Sequence, residues 1–474
     1  LETNFVFYMP SGLELRLSLY NSVSTNTLYP NKKMQSDSNM STIDHYIPKP
    51  NGHIKPRIII HGGAGNITKI SMPRDRYDAY RASLNRILSN SAEMLSIPGI
   101  TALDVAAYAV SQLEDDPLYN SGKGAVFTRA GYNELECSIM VSNGYKKRGV
   151  GCMMLQHVKN PIKLARELLI RGEKAGGDGA QDHCQYSGEF AEGLAKEWGL
   201  EIVGQEYFWT KGRWDEHMRG LAEEKKRAEA GVSIEEMSDW EKETYIPLGT
   251  CGAVVIDSFG TICVATSTGG LTNKVPGRIG DTPSMGTGYW AEEWDEVTKT
   301  EMLYQPVMSV ASPIDKLSRG DLRGLVSDCL PTMSSPEQQT NAQSPSQISE
   351  KPIKVRHAVG LSGTGNGDTF IRMCAARTAA AYSRFSHTSL SAATTWMAGR
   401  SGELQKSADD RWGKTHEGVG GMIGIEVVGT KVDVVFDYNC GGLFRAWIEE
   451  DESQKCLIFR KDSWESGPEN WGSV

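Results

Sequence analysis

The sequence predicts an α+β fold, with helical and strand segments gathered into groups rather than alternating. Three observations carry this. Apolar residues step by three and four from Ala102 to Leu113, the period of a helix with one buried face. Short continuous apolar runs at 253–256 and 262–265 are joined by Asp257-Ser258-Phe259-Gly260, the pattern of a hairpin between buried strands. With 39% hydrophobic and 23% charged residues, the composition suits a globular protein with a sizeable core.

Taken in order, residues 1–56 are rich in Ser, Asn and Pro, lack a charged-then-apolar signal segment, and are read as a disordered or non-native leader. Ile58-Ile59-Ile60 reads as a strand leading into His61-Gly62-Gly63-Ala64-Gly65. Thr101 is placed to cap the helix that follows it. Strand-like content follows at 136–141 and 149–155. Asn160-Pro161 reads as an N-cap with proline at the first helical position, and Ser187 as the start of a helix ending near Gly199. Residues 211–246 are dominated by charge and are expected to be a solvated linker or surface helix. Beyond Thr250 come the hairpin above, helical stretches near 369–384 and 389–397, and a second hairpin joining 422–428 to 432–436 through Gly429-Thr430. Residues 305–355 are too polar for a core and are expected to be disordered. The halves 57–249 and 250–474 read as one enlarged domain. Helices, strands, strands and helices in that grouping suit a layered sandwich.

A net charge of −9 gives no basic footprint for nucleic acid. No apolar run nears the roughly 20 residues needed to cross a bilayer, so no membrane span is expected. The nine cysteines form no Cys-x-x-Cys pair, which argues against a zinc or disulfide framework and fits a reducing, cytoplasmic setting. Asn39-Met40-Ser41 and Asn66-Ile67-Thr68 match the glycosylation sequon with nothing else to suggest secretion.

The segment carrying most chemical information is Gly249-Thr250-Cys251-Gly252. Cutting the Gly249–Thr250 bond would give Thr250 both a hydroxyl and a free α-amine of pKa about 8, able to take the hydroxyl proton near neutral pH. One residue would then serve as nucleophile and base. Alone, the run is better read as a core strand preceded by a turn glycine.

Other segments join it: Ala265-Thr266-Ser267-Thr268-Gly269-Gly270, Asn273-Lys274, Gly277-Arg278-Ile279-Gly280-Asp281 and Ser362-Gly363-Thr364-Gly365-Asn366-Gly367-Asp368. With the His61 to Gly65 run and Pro117 to Thr128, they resemble the plant-type L-asparaginase and isoaspartyl peptidase family of N-terminal nucleophile threonine hydrolases, in that family's order. The resemblance implies an αββα four-layer sandwich, self-cleavage between Gly249 and Thr250, and hydrolysis of the side-chain amide of L-asparagine or of β-aspartyl peptides. Catalytic roles fall on Thr250, on Thr268 beside it, and on Thr364 and Asn120 as oxyanion donors. Arg278 and Asp281 suit the carboxylate and ammonium of an α-amino acid. Three residues apart, they would also suit a surface ion pair, but Gly277 and Gly280 bracket them in the family's pattern. Gly365 and Gly367 let backbone approach the same end of the substrate. The loop from Leu113 to Lys123 looks like the family's sodium loop, implying a structural Na+ on the carbonyls of Leu113, Glu114, Asp116, Tyr119, Ser121 and Lys123. No organic cofactor is implied: Gly63 to Thr68 lacks the third glycine of a dinucleotide fingerprint. The expected partners are a small molecule or short peptide and a second αβ unit.

Leu248 stands where the family often has histidine, Cys251 where it has valine, Glu136 where it has aspartate, and Asp368 where it often has glutamate. Glycosylasparaginase shares the chemistry, but Thr268-Gly269-Gly270 and the His61 run fit the asparaginase branch better. A threonine aspartase lacks the counterpart of Asp281. An uncleaved scaffold is the reading from outside enzymology.

Overall fold

The computed structural model describes residues 54–143, 149–231, 238, 240–241, 249–298 and 353–470, with the backbone of 5–8 and 14–17. The leader lies outside these residues apart from its last three and those two segments, as does the polar stretch 305–355 up to residue 352. The chain divides into units Leu1–Ile47 and Pro48–Val474. In the first, β1 (Phe5–Tyr8) pairs antiparallel with β2 (Glu14–Leu17).

The second unit holds two sheets. The larger contains β3 (Arg57–Gly65), β4 (Leu135–Val141), β5 (Gly149–Leu155), β6 (Gln185–Ser187), β7 (Cys251–Ile256), β8 (Ile262–Thr268), β13 (Gly442–Ile448) and β14 (Gln454–Leu457), in the order β14-β13-β3-β7-β8-β4-β5-β6. Its pairings are antiparallel except for β5 with β6. The smaller runs β12-β11-β10-β9, from β9 (Tyr289–Thr298), β10 (Ile353–Gly365), β11 (Gly420–Val428) and β12 (Lys431–Tyr438).

The apolar runs are continuous because the central strands are buried on both faces. Side chains alternate along a strand, so Ile58 and Ile60 enter one core and Ile59 another. Likewise Ala253 and Val255 face the first core, Val254 and Ile256 the second. The first core is shared with α1 (Arg74–Leu95), α2 (Ala102–Asp115) and α3 (Pro161–Gly172). The second joins the two sheets through residues such as Ile262, Val264, Ile423 and Ile425. A third lies between the small sheet (Val359, Leu361, Met422) and Phe370, Ala376, Ala379 and Leu390.

Thr101 does cap α2, its hydroxyl accepting from Asp104 N at 3.2 Å. Asn160 does not cap α3: its amide donates to Asp115 Oδ1 at 3.0 Å, while Pro161 opens the helix. Ser187, the last residue of β6, makes no side-chain cap to α4 (Gly188–Glu197). The β7–β8 loop is Asp257–Thr261, one residue longer than expected, because Asp257 Oδ1 accepts from both Phe259 N and Thr261 N at 3.0 Å. The stretch expected to be helical near 369–384 breaks at Cys374, whose φ of 47° is left-handed. This separates α6 (Gly367–Met373) from α7 (Ala375–Phe385), with α8 (Leu390–Ala398) following. Within 211–246, Lys211–Glu229 form α5, anchored by Arg213 Nε donating to Gly124 O at 2.9 Å and by Trp214 edge-on to Phe127.

Candidate active site

Thr250 immediately precedes β7, is buried, and lines a cavity of about 400 Å³ with Thr268, Arg278, Asp281, Gly365 and Gly367. The packing around Gly249 is close enough to require glycine: a Cβ there would strike Thr364 Oγ1 and lie 3.2 Å from Ala64 N. Ala64 N donates to Thr364 Oγ1 at 3.1 Å, which leaves the Thr364 hydroxyl hydrogen for a further acceptor. The ends of β3 and β10 thus hold the Gly249–Thr250 bond between them.

Thr250 Oγ1 lies 2.9 Å from Thr282 Oγ1, and Thr282 is buried. Sequence reasoning missed Thr282. Its one signal was a hydroxyl directly after Asp281 in the Arg–Asp motif. Thr268, expected beside the nucleophile, lines the cavity, but its hydroxyl accepts from Gly270 N at 3.1 Å. Asn120, expected as an oxyanion donor, packs against the Thr268-Gly269-Gly270 turn. It donates from Nδ2 to Gly270 O at 2.8 Å and accepts from Val126 N at 3.0 Å, bracing the loop that carries Thr268-Gly269-Gly270. His61 Nε2 is 2.7 Å from Ser362 Oγ; complete burial pushes its imidazole down to about 3, so it is neutral at physiological pH.

At the other end of the cavity, Arg278 donates to Asp368 Oδ2 at 3.1 Å. Asp281 is buried, and burial first, then the charge of Glu136, pushes it up to about 7. Gly367 packs against both: a Cβ there would lie 2.7 Å from Asp281 Oδ1 and 3.1 Å from Arg278 Nη2. Glu136 and Lys274 stand behind them, their charged atoms 3.8 Å apart. The mouth is lined by Glu223, Glu224 and Arg227 of α5, with Arg129 gripping Glu224 through bonds of 2.8 and 3.2 Å. These positions were hidden in the charge-rich stretch. Their only signal was Arg213, Trp214 and His217, which share one side of the helix.

In the loop after α2, Asp116 N, Lys123 N and Tyr119 N donate to the carbonyls of Leu113, Glu114 and Asp116 at 3.4, 2.7 and 3.3 Å. A Cβ on Gly124 would lie 2.6 and 2.8 Å from Pro117 O and Tyr119 O, so carbonyls converge there on a space that only glycine leaves open. Neutral carbonyl oxygens, each retaining a second lone pair, fit a hard alkali cation. Among the described residues no group of three His, Cys, Asp or Glu side chains is placed to hold a metal ion. No helix among them is long and apolar enough to cross a membrane.

A sequence profile of the asparaginase family matches residues 54–300. The chain belongs to this family. It is 37% identical over 237 residues to an isoaspartyl peptidase of Salmonella typhimurium, covering 50% of this chain and 70% of that one. An isoaspartyl peptidase of Escherichia coli is 36% identical over 237 residues, covering 50% and 68%. An isoaspartyl peptidase/L-asparaginase of Xenopus laevis is 35% identical over 240 residues, covering 50% and 67%. The asparaginase profile takes in Thr250, Thr268, Arg278 and Asp281, while Thr364 and the glycines after it lie beyond its span.

Proposed function

We propose that this asparaginase-family chain hydrolyses the side-chain amide of L-asparagine and the isoaspartyl bond of β-aspartyl peptides, releasing aspartate. The observation that carries the reading is a buried threonine hydroxyl facing the same cavity as the Arg278–Asp281 pair. Self-cleavage between Gly249 and Thr250 frees the α-amine. That amine takes the Thr250 hydroxyl proton as Oγ attacks the amide carbonyl, then returns it to the departing nitrogen. Ammonia or the peptide amine leaves, and water hydrolyses the β-aspartyl ester. Thr364 donates to the oxyanion, a role whose loss typically slows such reactions by roughly 100- to 1000-fold. Arg278 holds the substrate α-carboxylate and Asp281 its α-ammonium.

Helices outside each of two sheets packed face to face support the αββα sandwich of N-terminal nucleophile hydrolases. The loop after α2 would hold Na+ through the carbonyls of Leu113, Glu114, Asp116, Tyr119, Ser121 and Lys123 as a structural ion. Two αβ units pair in solution, and free thiols at every described cysteine support a cytoplasmic setting. The test is release of ammonia from asparagine and of the free amino acid from a β-aspartyl dipeptide. Arg278→Ala and Asp281→Ala are expected to lose both activities yet still self-cleave. If either kept near-normal kcat/KM, the substrate assignment would be wrong.

A further inference from the structure

Glu136 lies on β4 directly opposite Thr268 of β8, at the catalytic end of the large sheet. It is 1% exposed, yet it lines the cavity. One carboxylate oxygen is used: Oε1 accepts from Gly280 N at 3.0 Å and stands 3.8 Å from Lys274 Nζ. The Lys274 ammonium also donates to Glu134 O, at 2.9 Å. The other oxygen, Oε2, is buried with no hydrogen-bond partner, and the same holds for Asp281 Oδ2.

The two carboxylates flank one guanidinium. A Cβ on Gly280 would lie 2.9 Å from Arg278 Nη1 and 3.1 Å from Glu136 Oε2, and one on Gly367 would lie 3.1 Å from Arg278 Nη2 and 2.7 Å from Asp281 Oδ1. Buried carboxylate oxygens are rarely left unpaired without a functional cause. Asp281 Oδ2 is turned to Gly288, so it is Glu136 Oε2, beside Gly280, and Asp281 Oδ1, beside Gly367, that flank the cavity wall and mark a place for a cation with several N–H donors. An α-ammonium has three, enough to serve both oxygens.

We infer that Glu136 is a second ammonium-recognising residue: Glu136 Oε2 and Asp281 Oδ1 together receive the α-ammonium of the substrate, while Arg278 takes its α-carboxylate. The inference rests on the proposed amidohydrolase reading and adds to it a determinant on β4. It also gives a consequence to the longer glutamate at this position, whose extra methylene carries the carboxylate further from its strand.

The test uses Glu136→Gln and Glu136→Asp in the full chain, with binding of L-aspartate and succinate measured by calorimetry. The two ligands share both carboxylates and differ in the ammonium. In Glu136→Gln, L-aspartate should bind at least about tenfold more weakly, the loss expected of a charged hydrogen bond. Succinate should bind as well as before or better, because a negative charge has been removed. Self-cleavage and the melting temperature serve as controls, and Glu136→Asp should recover part of the selectivity. Equal weakening of both ligands would make Glu136 merely a prop for Arg278, and no change in either would remove it from recognition; either result overturns the inference. A wild-type chain that neither binds L-aspartate nor hydrolyses asparagine would instead sink the underlying reading, and this role with it.

Discussion

Gly367→Ala offers a sharp test of where the substrate sits. Gly367 opens α6, where alanine is as acceptable to the backbone as glycine, so the fold should tolerate the change. The added methyl would stand 2.7 Å from Asp281 Oδ1, 3.1 Å from Arg278 Nη2 and 3.4 Å from Asp281 N. The first of these is well inside van der Waals contact, and the buried Asp281 has little room to retreat. Overpacking of this kind costs about 1–3 kcal/mol. If the strain is borne by the Arg278–Asp281 geometry, kcat/KM falls by roughly 5- to 160-fold. The assay is hydrolysis of a β-aspartyl dipeptide by the variant, run beside its self-cleavage on a denaturing gel and its melting curve. Cleavage should be normal, and the melting temperature should fall by no more than the few degrees that such an overpacking cost implies. A kcat/KM within twofold of wild type would mean that this end of the cavity does not hold the substrate.

The remaining expectations concern protons, the nucleophile and the cation. With Asp281 near 7, the carboxylate form that holds an ammonium is lost as pH falls, so L-aspartate binding measured by calorimetry should weaken about tenfold per unit below that point. Because the folded chain keeps a proton that an unfolded aspartate releases near pH 4, the same group lowers stability as pH rises from about 4 to 7. A pH-independent affinity would refute this, as would loss of an acid limb in His61→Gln, since His61 stays neutral there. Thr282→Val removes the hydroxyl 2.9 Å from Thr250 Oγ1, and gels and initial rates should show self-cleavage and kcat slowed by about tenfold, with Thr282→Ser restoring both. Wild-type rates in Thr282→Val would make that contact incidental. Replacing Na+ by choline, too large for the loop after α2, should lower the melting temperature; an unchanged one would exclude the cation.

Much of the fold was legible because local signals agreed with the global arrangement. The unbroken apolar runs at 58–60 and 253–256 required strands covered on both faces, and two cores receive them. Thr101 supplied a cap that the helix uses. Legibility failed where a distant partner decided the outcome. Asn160 turns from its own helix to Asp115, and Asp257 organises an extra loop residue while also accepting from Ala102 N at 2.8 Å. The site shows the same division. Motif residues Thr250, Arg278 and Asp281 share one cavity, whereas the Thr250–Thr282 contact and the placement of Glu223, Glu224 and Arg227 depend on tertiary packing that spacing does not encode.

The central claim is that Thr250 becomes an N-terminal nucleophile, and the most direct measurement is the intact mass and N-terminal sequence of the purified protein. Two chains are expected, one ending at Gly249 and one beginning at Thr250, with Thr250→Ala remaining a single chain without ammonia release. A mature N-terminus at any other residue, or full amidohydrolase activity from the uncleaved chain, would contradict it.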